Sequence, residues 1–464
     1  MACSSGACQS NNCYKQEEEE ESEQNSIASI LDAKRGTESN DPQQSLCIKC
    51  KANSPISCTG EDVRFCADCF RSNLYGKFRL AVSSHAMITP SDKVLVAFSG
   101  GPASRVALQF VHEMQNRAQK NFDASRDRSL PVFGVGVAVI DESAIYPIPA
   151  HEFDEAITEI KLVVSNLAPP TKELHIVPIE NVYASDSVDK RNRLKELLDS
   201  VTDVTGKEDL LLHLKMLSLQ KIASENGYSR LILGSCTSRI ACHVISAAVK
   251  GQGYSLSANI QYVDARWDTP IVLPLRDCLS QELNLLCRVD GLKTVELLNG
   301  PSSGINHLVS SFVALLQEEN PSRECTIVRT AGKLTPFHFN RIPEISDCNV
   351  PLATRRRQKR FSLQPKESIS SESFCPICIS PLNKSEMQTL SGFGSFQSSD
   401  TFSPSCCPSC RFQILPKDPH SMEHFISLLP QPLAAQSKHD IGGNLNLLRE
   451  QIQDFLLSDS DSET

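Results

Sequence analysis

Residues 93–110, KVLVAFSGGPASRVALQF, decide how this chain is read. Val94 to Phe98 form a short, nearly all-apolar run, the pattern of a strand buried on both faces. Ser99, Gly100 and Gly101 follow at once, and from Pro102 the apolar residues Val106, Ala107, Phe110 and Val111 fall at helical spacing. A buried strand, a glycine turn and a helix opening on Pro make a candidate anion cradle. The glycines admit close backbone approach, and the free N–H groups of the helix N-terminus favour negative charge. Ser-Gly-Gly alone is equally consistent with a tight turn that binds nothing, so the surroundings must decide.

Outward from this unit, apolar runs recur with the alternation of an α/β domain. Residues 131–141 (PVFGVGVAVID), 173–180 (ELHIVPIE), 230–235 (RLILGS) and 269–277 (TPIVLPLRD) read as strands. Residues 151–167, 189–201, 208–228 and 278–288 read as helices between and after them. Strands alternating with helices predict a doubly wound parallel sheet, with ligands at the carboxyl ends of the strands beside a switch in strand order. The Ser-Gly-Gly turn and Gly234-Ser235-Cys236 both belong on that edge. Residues 307–320 read as a further helix and 325–334 (CTIVRTAGKL) as a strand. His213, among leucines, reads as a satisfied or helix-surface histidine rather than a ligand.

The net charge of −9 over 464 residues is unevenly spread. Residues 1–46 carry nine acids and three bases, and 450–464 carry five acids and no base; setting aside those −6 and −5 leaves 47–449 at +2. The folded body therefore raises no electrostatic objection to a nucleic-acid partner. Residues 1–46, with a five-glutamate run, read as a disordered tail. No apolar run approaches the ~20 residues of a membrane span, and the N-terminus lacks a signal-peptide core. Nineteen cysteines without a signal point to reduced thiols and metal ligands rather than disulfides.

Two cysteine patterns stand out. Cys47-x2-Cys50, fifteen residues, then Cys66-x2-Cys69 has the spacing of a structural four-thiolate zinc site, with Cys58 a spare. Cys375-x2-Cys378 and Cys407-x2-Cys410 repeat the knuckles across 28 residues, with Cys406 a spare. Unrelated reduced thiols are the alternative for each set. Cys3, Cys8 and Cys13 read as free thiols. Between the core and the second set, TRRRQKR (354–360) beside Ser-rich sequence reads as a linker, or as an RNA-binding arm through Arg355, Arg356, Arg357, Lys359 and Arg360. The layout is then an acidic tail (1–46), a four-cysteine module with a connecting helix (47–90), the α/β domain (91–300), an extension of the core (301–350), a basic linker (351–373), a second four-cysteine module (374–415), and a terminal helix with an acidic serine tail (416–464).

The strand–SGG–helix unit ahead of a doubly wound sheet resembles the PP-loop adenylating enzymes, whose motif is S-G-G-x-D-S. With cysteine knuckles before and after the core, and with VAFSGGPASRVAL, LILGSCTSRIA and CPIC…CCPSC as its specific parts, the chain resembles the cytoplasmic tRNA 2-thiolation protein 2 family. That family supplies the partner subunit of the wobble-uridine thiolase. The resemblance implies a cytoplasmic heterodimer with a catalytic PP-loop subunit, with ATP and Mg²⁺ on that partner and structural Zn²⁺ on this chain. Sulfur would pass from a thiocarboxylated ubiquitin-related modifier to uridine 34 (mcm5s2U34) of the tRNAs for Lys, Glu and Gln.

Departures from the active relatives sharpen that expectation. Ser99, Gly100, Gly101 and Ser104 fit the motif as a degenerate nucleotide-binding turn, but Ala103 stands where the acid belongs and Arg105 follows. The active thiolases carry roughly G-H-N-A-D-D after the fourth strand, where this chain has Gly234, Ser235, Cys236, Thr237, Ser238 and Arg239. The missing acids would hold Mg²⁺, because hard cations take carboxylate oxygens. The helix before that strand also lacks the C-x2-C of the active enzymes. The chain is expected neither to adenylate nor to carry sulfur, and to grip tRNA and support its partner. Two alternatives remain: an active sulfurtransferase using Cys236 or Cys242, and a zinc-bearing scaffold without RNA contact.

Overall fold

The computed structural model describes residues 46–56, 65–125, 131–146, 149–184, 189–295, 304–320, 322–334, 374–382, 406–431 and 433. The chain divides into two compact units, Met1–Cys69 and Phe70–Thr464. The basic arm, Cys3, Cys8, Cys13, Cys58 and the terminal helix of the sequence reading lie outside the described residues.

The elements in order are α1 (Ala67–Ser84), β1 (Lys93–Ala97), α2 (Pro102–Ala124), β2 (Gly134–Asp141), α3 (Ala150–Ser165) and β3 (Glu173–Pro178). There follow α4 (Lys190–Asp199), α5 (Val204–Glu225), β4 (Arg230–Ile232), α6 (Thr237–Val249), α7 (Gly253–Asn259), β5 (Val263–Asp264) and β6 (Ile271–Val272). The last are α8 (Ser280–Val289), α9 (Ile305–Glu319), α10 (Ser322–Ala331), α11 (Pro408–Gln413) and α12 (Pro419–Leu428).

The sheet runs β3-β2-β1-β4-β6-β5. β1 pairs in parallel with β2 (Leu95 with Gly136) and with β4 (Leu95 with Leu231), and β2–β3 and β4–β6 are parallel too. Strand order therefore reverses at β1, and the switch lies between the ends of β1 and β4, where an open α/β sheet forms its crevice. Val94, Leu95 and Val96 are fully buried, as a strand covered on both faces requires.

Two sequence expectations are corrected. The strand expected over 269–277 narrows to Ile271–Val272 and is joined by an antiparallel edge strand, β5. Pro270 and Pro274 flank the short strand and cannot donate ladder hydrogen bonds. The strand expected over 325–334 lies instead in helix α10. Its β-branched run Thr326-Ile327-Val328 favoured a strand. Glu324, Val328 and Ala331, spaced four and three apart, are the buried positions, and Val328 and Ala331 share an apolar cluster with Ile240, Ala241 and Ala247 of α6. Burial of that stripe outweighs the local preference.

The second cysteine module packs into the α/β domain. Cys375, Ile377, Cys410, Phe425 and Leu433 share one apolar cluster with Leu194, Leu197, Leu210 and Leu214 of α4 and α5. The Tyr183 hydroxyl donates to the Leu428 carbonyl at 3.0 Å, and Arg193 caps the end of α12 through the carbonyls of Ser427, Leu428 and Leu429. Phe425 is completely buried, which for a phenylalanine is worth about 2–3 kcal/mol of transfer free energy.

Candidate functional site: two thiol tetrads and the sheet switch

In the first unit the sulfurs of Cys47, Cys50, Cys66 and Cys69 all lie within 4.8 Å of one another. The local backbone explains why. Lys51 N–H donates to the Cys47 carbonyl (2.9 Å) and Lys51 takes a left-handed φ of 55°, which closes the first knuckle. Ile56 N–H then donates to Phe65 O at 2.8 Å and brings the second knuckle alongside. Burial resists ionisation of Cys47, but the backbone N–H groups of Cys50, Cys66 and Lys49 outweigh it and bring the thiol down to about 6. One member of the set is thereby prepared as a thiolate, the form that ligates metal.

In the second unit Cys375, Cys378, Cys407 and Cys410 form a tetrad of the same compactness. The knuckle at 375–378 again closes with a left-handed residue, Ile379 (φ 54°), whose N–H donates to Cys375 O at 2.8 Å. Cys407 caps α11, its sulfur accepting from Cys410 N–H at 3.4 Å, with Pro408 in the first turn. Cys375, Cys407 and Cys410 are buried, and Cys378 is partly exposed. Burial opposes ionisation of Cys375, but hydrogen bonds from the surrounding thiols pull it well below the ordinary cysteine value. The spare Cys406 is buried beside the set. Four soft donors and no hard one make each tetrad fit a four-coordinate ion such as Zn²⁺.

At the sheet switch the structure brings together Ser99, Gly101 and Ser104, as the motif requires. Ser99 Oγ donates to Ser104 Oγ (3.2 Å), and Ser104 Oγ donates to Gly101 O (2.9 Å). Gly100 has φ +82°, and the Val295 carbonyl oxygen lies only 1.9 Å from where a Cβ on Gly100 would sit. The space that glycine leaves is filled by the chain itself. Gly234 makes the other close approach: a Cβ there would come within 2.8 Å of Ser104 N, so the end of β4 lies against the first turn of α2.

Cys236 is the N-cap of α6 and is buried; Cys242, one turn and a half on, is partly buried. Burial pushes both thiols up, against the lowering effect of the Arg239 charge. Both are thiols rather than thiolates at neutral pH. A carboxylate does reach the start of α6, from a direction the sequence did not reveal. Glu324 of α10 is fully buried and accepts a 2.5 Å hydrogen bond from Ser238 Oγ, and burial raises its pKa. Ser238 Oγ in turn accepts from Ser280 N–H and Gln317 Nε2. The group is thus a buried, hydrogen-bonded strut between α10 and α6, not a charge presented to solvent.

His213 is a half-buried residue of α5 in the wall of a polar cavity shared with Arg239, Cys242 and His243, a position compatible with the helix-surface reading.

No family model matches the chain. A protein of Arabidopsis thaliana named "Cytoplasmic tRNA 2-thiolation protein 2" is 60% identical over 464 residues, covering 99% of both chains. A protein of the same name from Oryza sativa subsp. indica is 51% identical over 417 residues and 89% of each chain. Among solved structures, the U34-tRNA thiolase NcsA from Methanococcus maripaludis, described with its 4Fe–4S cluster, overlaps 66% of this chain and 91% of its own at a TM-score of 0.47 and 18% identity. That overlap is too loose to carry residue roles across.

Proposed function

The chain belongs to the cytoplasmic tRNA 2-thiolation protein 2 family, and from that premise we propose that it is the non-catalytic subunit of a cytoplasmic tRNA thiolase. It pairs with a catalytic PP-loop subunit, and the pair uses sulfur from a thiocarboxylated ubiquitin-related modifier to 2-thiolate uridine 34 of the tRNAs for Lys, Glu and Gln. This chain's share is to grip tRNA and to support its partner.

The observation that carries this reading is the state of the Ser-Gly-Gly turn. The turn keeps its serines and glycines, but Ala103 replaces the acid of the motif. Neither 99–105 nor 234–239 contains a carboxylate for Mg²⁺. ATP and Mg²⁺ accordingly belong on the partner. The two tetrads hold Zn²⁺ as structural ions: four thiolates leave no open position for chemistry. Burial raises the Cys236 and Cys242 thiols, which disfavours the thiolate that a sulfur carrier needs.

The test is ATP-dependent thiolation of a tRNA transcript by this chain alone, by the catalytic subunit alone, and by both. Product and AMP require the catalytic subunit, and the pair exceeds that subunit alone. Conversion of ATP to AMP by this chain alone on tRNA would overturn the reading. Serine at Cys236 and Cys242 leaves the thiolation by the pair unchanged; loss would restore the sulfurtransferase alternative. Glutamate at Arg355, Arg356 and Arg357 weakens tRNA retention by the pair if the basic arm holds phosphate, and unchanged retention removes that arm.

A further inference from the structure

Helix α9 presents an apolar stripe to solvent. No Asp, Glu, Lys or Arg occurs from Ile305 to Gln317, which is the composition of a helix covered on both sides. One side is covered: Val309 and Val313 are buried in a cluster with Ile240 and Ala247 of α6. The other is not. Leu308, Phe312 and Leu315 are 68%, 50% and 60% exposed, and Ile305, three residues before Leu308, is partly buried. These four positions repeat at three, four and three residues, the narrow seam of a two-helix coiled coil rather than the broad face of a globular helix.

The carboxyl end of the chain carries the same spacing. Leu445, Leu448, Ile452 and Phe455 repeat at three, four and three, with Asn446, Glu450, Gln453 and Asp454 between them. They lie outside the described residues, of which the last is Leu433. Leu433 is buried in the cluster of the second tetrad, and the residues between it and Leu445 can span about 40 Å. The second module and the amino end of α9 both rest on the start of α5. Ile305 N–H donates to Thr205 Oγ1 at 3.2 Å, and a Cβ on the next residue, Gly206, would come within 2.1 Å of Gln413 O on α11.

We propose that residues 445–455 form a helix that lies antiparallel on α9, with Leu445 on Leu315, Leu448 on Phe312, Ile452 on Leu308 and Phe455 on Ile305. Charge sets the direction. The tail beyond the segment carries Asp459, Asp461 and Glu463, and α9 ends in Glu318 and Glu319. Antiparallel packing keeps the two acidic ends apart and brings the tail to the positive end of the α9 dipole. Size argues against a separate subunit on this face. Three side chains of one helix fall short of the ~800 Å² per partner that a stable complex buries, whereas a tethered helix needs only weak contacts, because its effective concentration is about millimolar. The α9 face is then closed within the chain, and a partner subunit docks elsewhere. The inference is independent of the tRNA reading.

The experiment places the photo-cross-linker p-benzoylphenylalanine at Phe312 of the full chain and maps the products by mass spectrometry, with and without the catalytic subunit. The expected product is a cross-link within one chain to a peptide containing Leu448, in a yield that the subunit does not change. A cross-link to a second copy, a cross-link to the catalytic subunit, or no cross-link to 445–455 overturns the proposal. Hydrogen exchange of the full chain gives a second reading: the amides of 448–456 exchange at least tenfold more slowly than those of a free peptide of the same sequence. Leu308→Glu and Ile452→Asp each remove that protection, and a thermal melt shows that the variants remain folded. Leu162→Glu, at an exposed position of α3, leaves it unchanged. Free exchange of 448–456 in the parent, or protection that survives both substitutions, overturns the assignment.

Discussion

Val295 lies across Gly100: its N–H donates to the Gly100 carbonyl at 3.0 Å, and its own carbonyl oxygen sits 1.9 Å from the position a Cβ on Gly100 would take. The segment after α8 thus packs directly on the backbone of Gly100. Gly100→Ala meets both a left-handed φ and a backbone atom that cannot rotate aside. It should cost about 2–4 kcal/mol, combining strain and displacement of Val295. Urea unfolding measures the cost. An alanine variant as stable as the parent would show that residue 295 does not pack on the turn.

The second tetrad is part of the core, so its metal should be part of the stability. Cys375 and Cys410 share an apolar cluster with Leu194, Leu210 and Phe425. Cys375→Ser should release one Zn²⁺ per chain and lower the melting temperature by well over 5 °C. The direction follows from the coupling of metal binding to folding. Native mass spectrometry counts the ions, with two per chain expected for the parent. A full metal count after the substitution would exclude Cys375 as a ligand.

Lys250 and Asp209 form a buried ion pair, with side chains 5% and 8% exposed. Removing one partner strands the other, which costs about 3–5 kcal/mol, whereas removing both is far milder. Asp209→Leu should therefore be more destabilising than Asp209→Leu with Lys250→Met. A denaturation cycle on the four proteins reads the coupling. Additive losses would show that the pair is not coupled.

Burial lowers His112 and His243 to about 4, with the Lys172 charge also acting on His112 and the Lys250 charge on His243. In the unfolded chain both titrate near 6.5. Between roughly 6.5 and 4 the unfolded state binds more protons, so stability falls as the pH falls through that window and is unaffected by these groups above it. Melting temperature should decline from pH 7 to pH 5, and His243→Gln should flatten the decline. An unchanged slope in that variant would show that His243 is protonated in the native state.

Ser238 and Glu324 separate a role for shape from a role for charge. Burial raises the Glu324 pKa and the Ser238 hydroxyl donates to its carboxyl group. Glu324→Gln keeps an acceptor and should cost less than about 1 kcal/mol, while Glu324→Ala leaves Ser238 and a void and should cost about 2–4 kcal/mol. Thermal unfolding of both variants ranks them; equal losses would show that the charge itself is required.

Much of the architecture was legible in local pattern. The run Val94–Phe98 followed by two glycines and Pro102 announced a buried strand and a helix start, and β2, β3 and α2 to α5 followed from the same signals. The x2 spacing of the cysteines announced both tetrads, because a knuckle is a short-range turn closed by its own backbone hydrogen bonds. Legibility failed where tertiary burial overrode propensity. Residues 325–331 have a strand-like composition, yet a stripe at 324, 328 and 331 faces α6 and is helical. Two-residue strands such as β5 and β6 carry too little sequence to show a period at all.

The sequence by itself determined the alternation of strand and helix, the composition of the two thiol sets and the loss of the acids after β1 and β4. Each of these is set by neighbours a few residues apart, through backbone hydrogen bonds and side-chain chemistry. Only the tertiary structure decided that Val295 packs on Gly100, that Glu324 reaches Ser238 from 86 residues away, and that Asp209 and Lys250 pair in the buried wall between α5 and α6. Those relationships depend on how helices cross the sheet, which the packing of whole faces settles and no local spacing encodes.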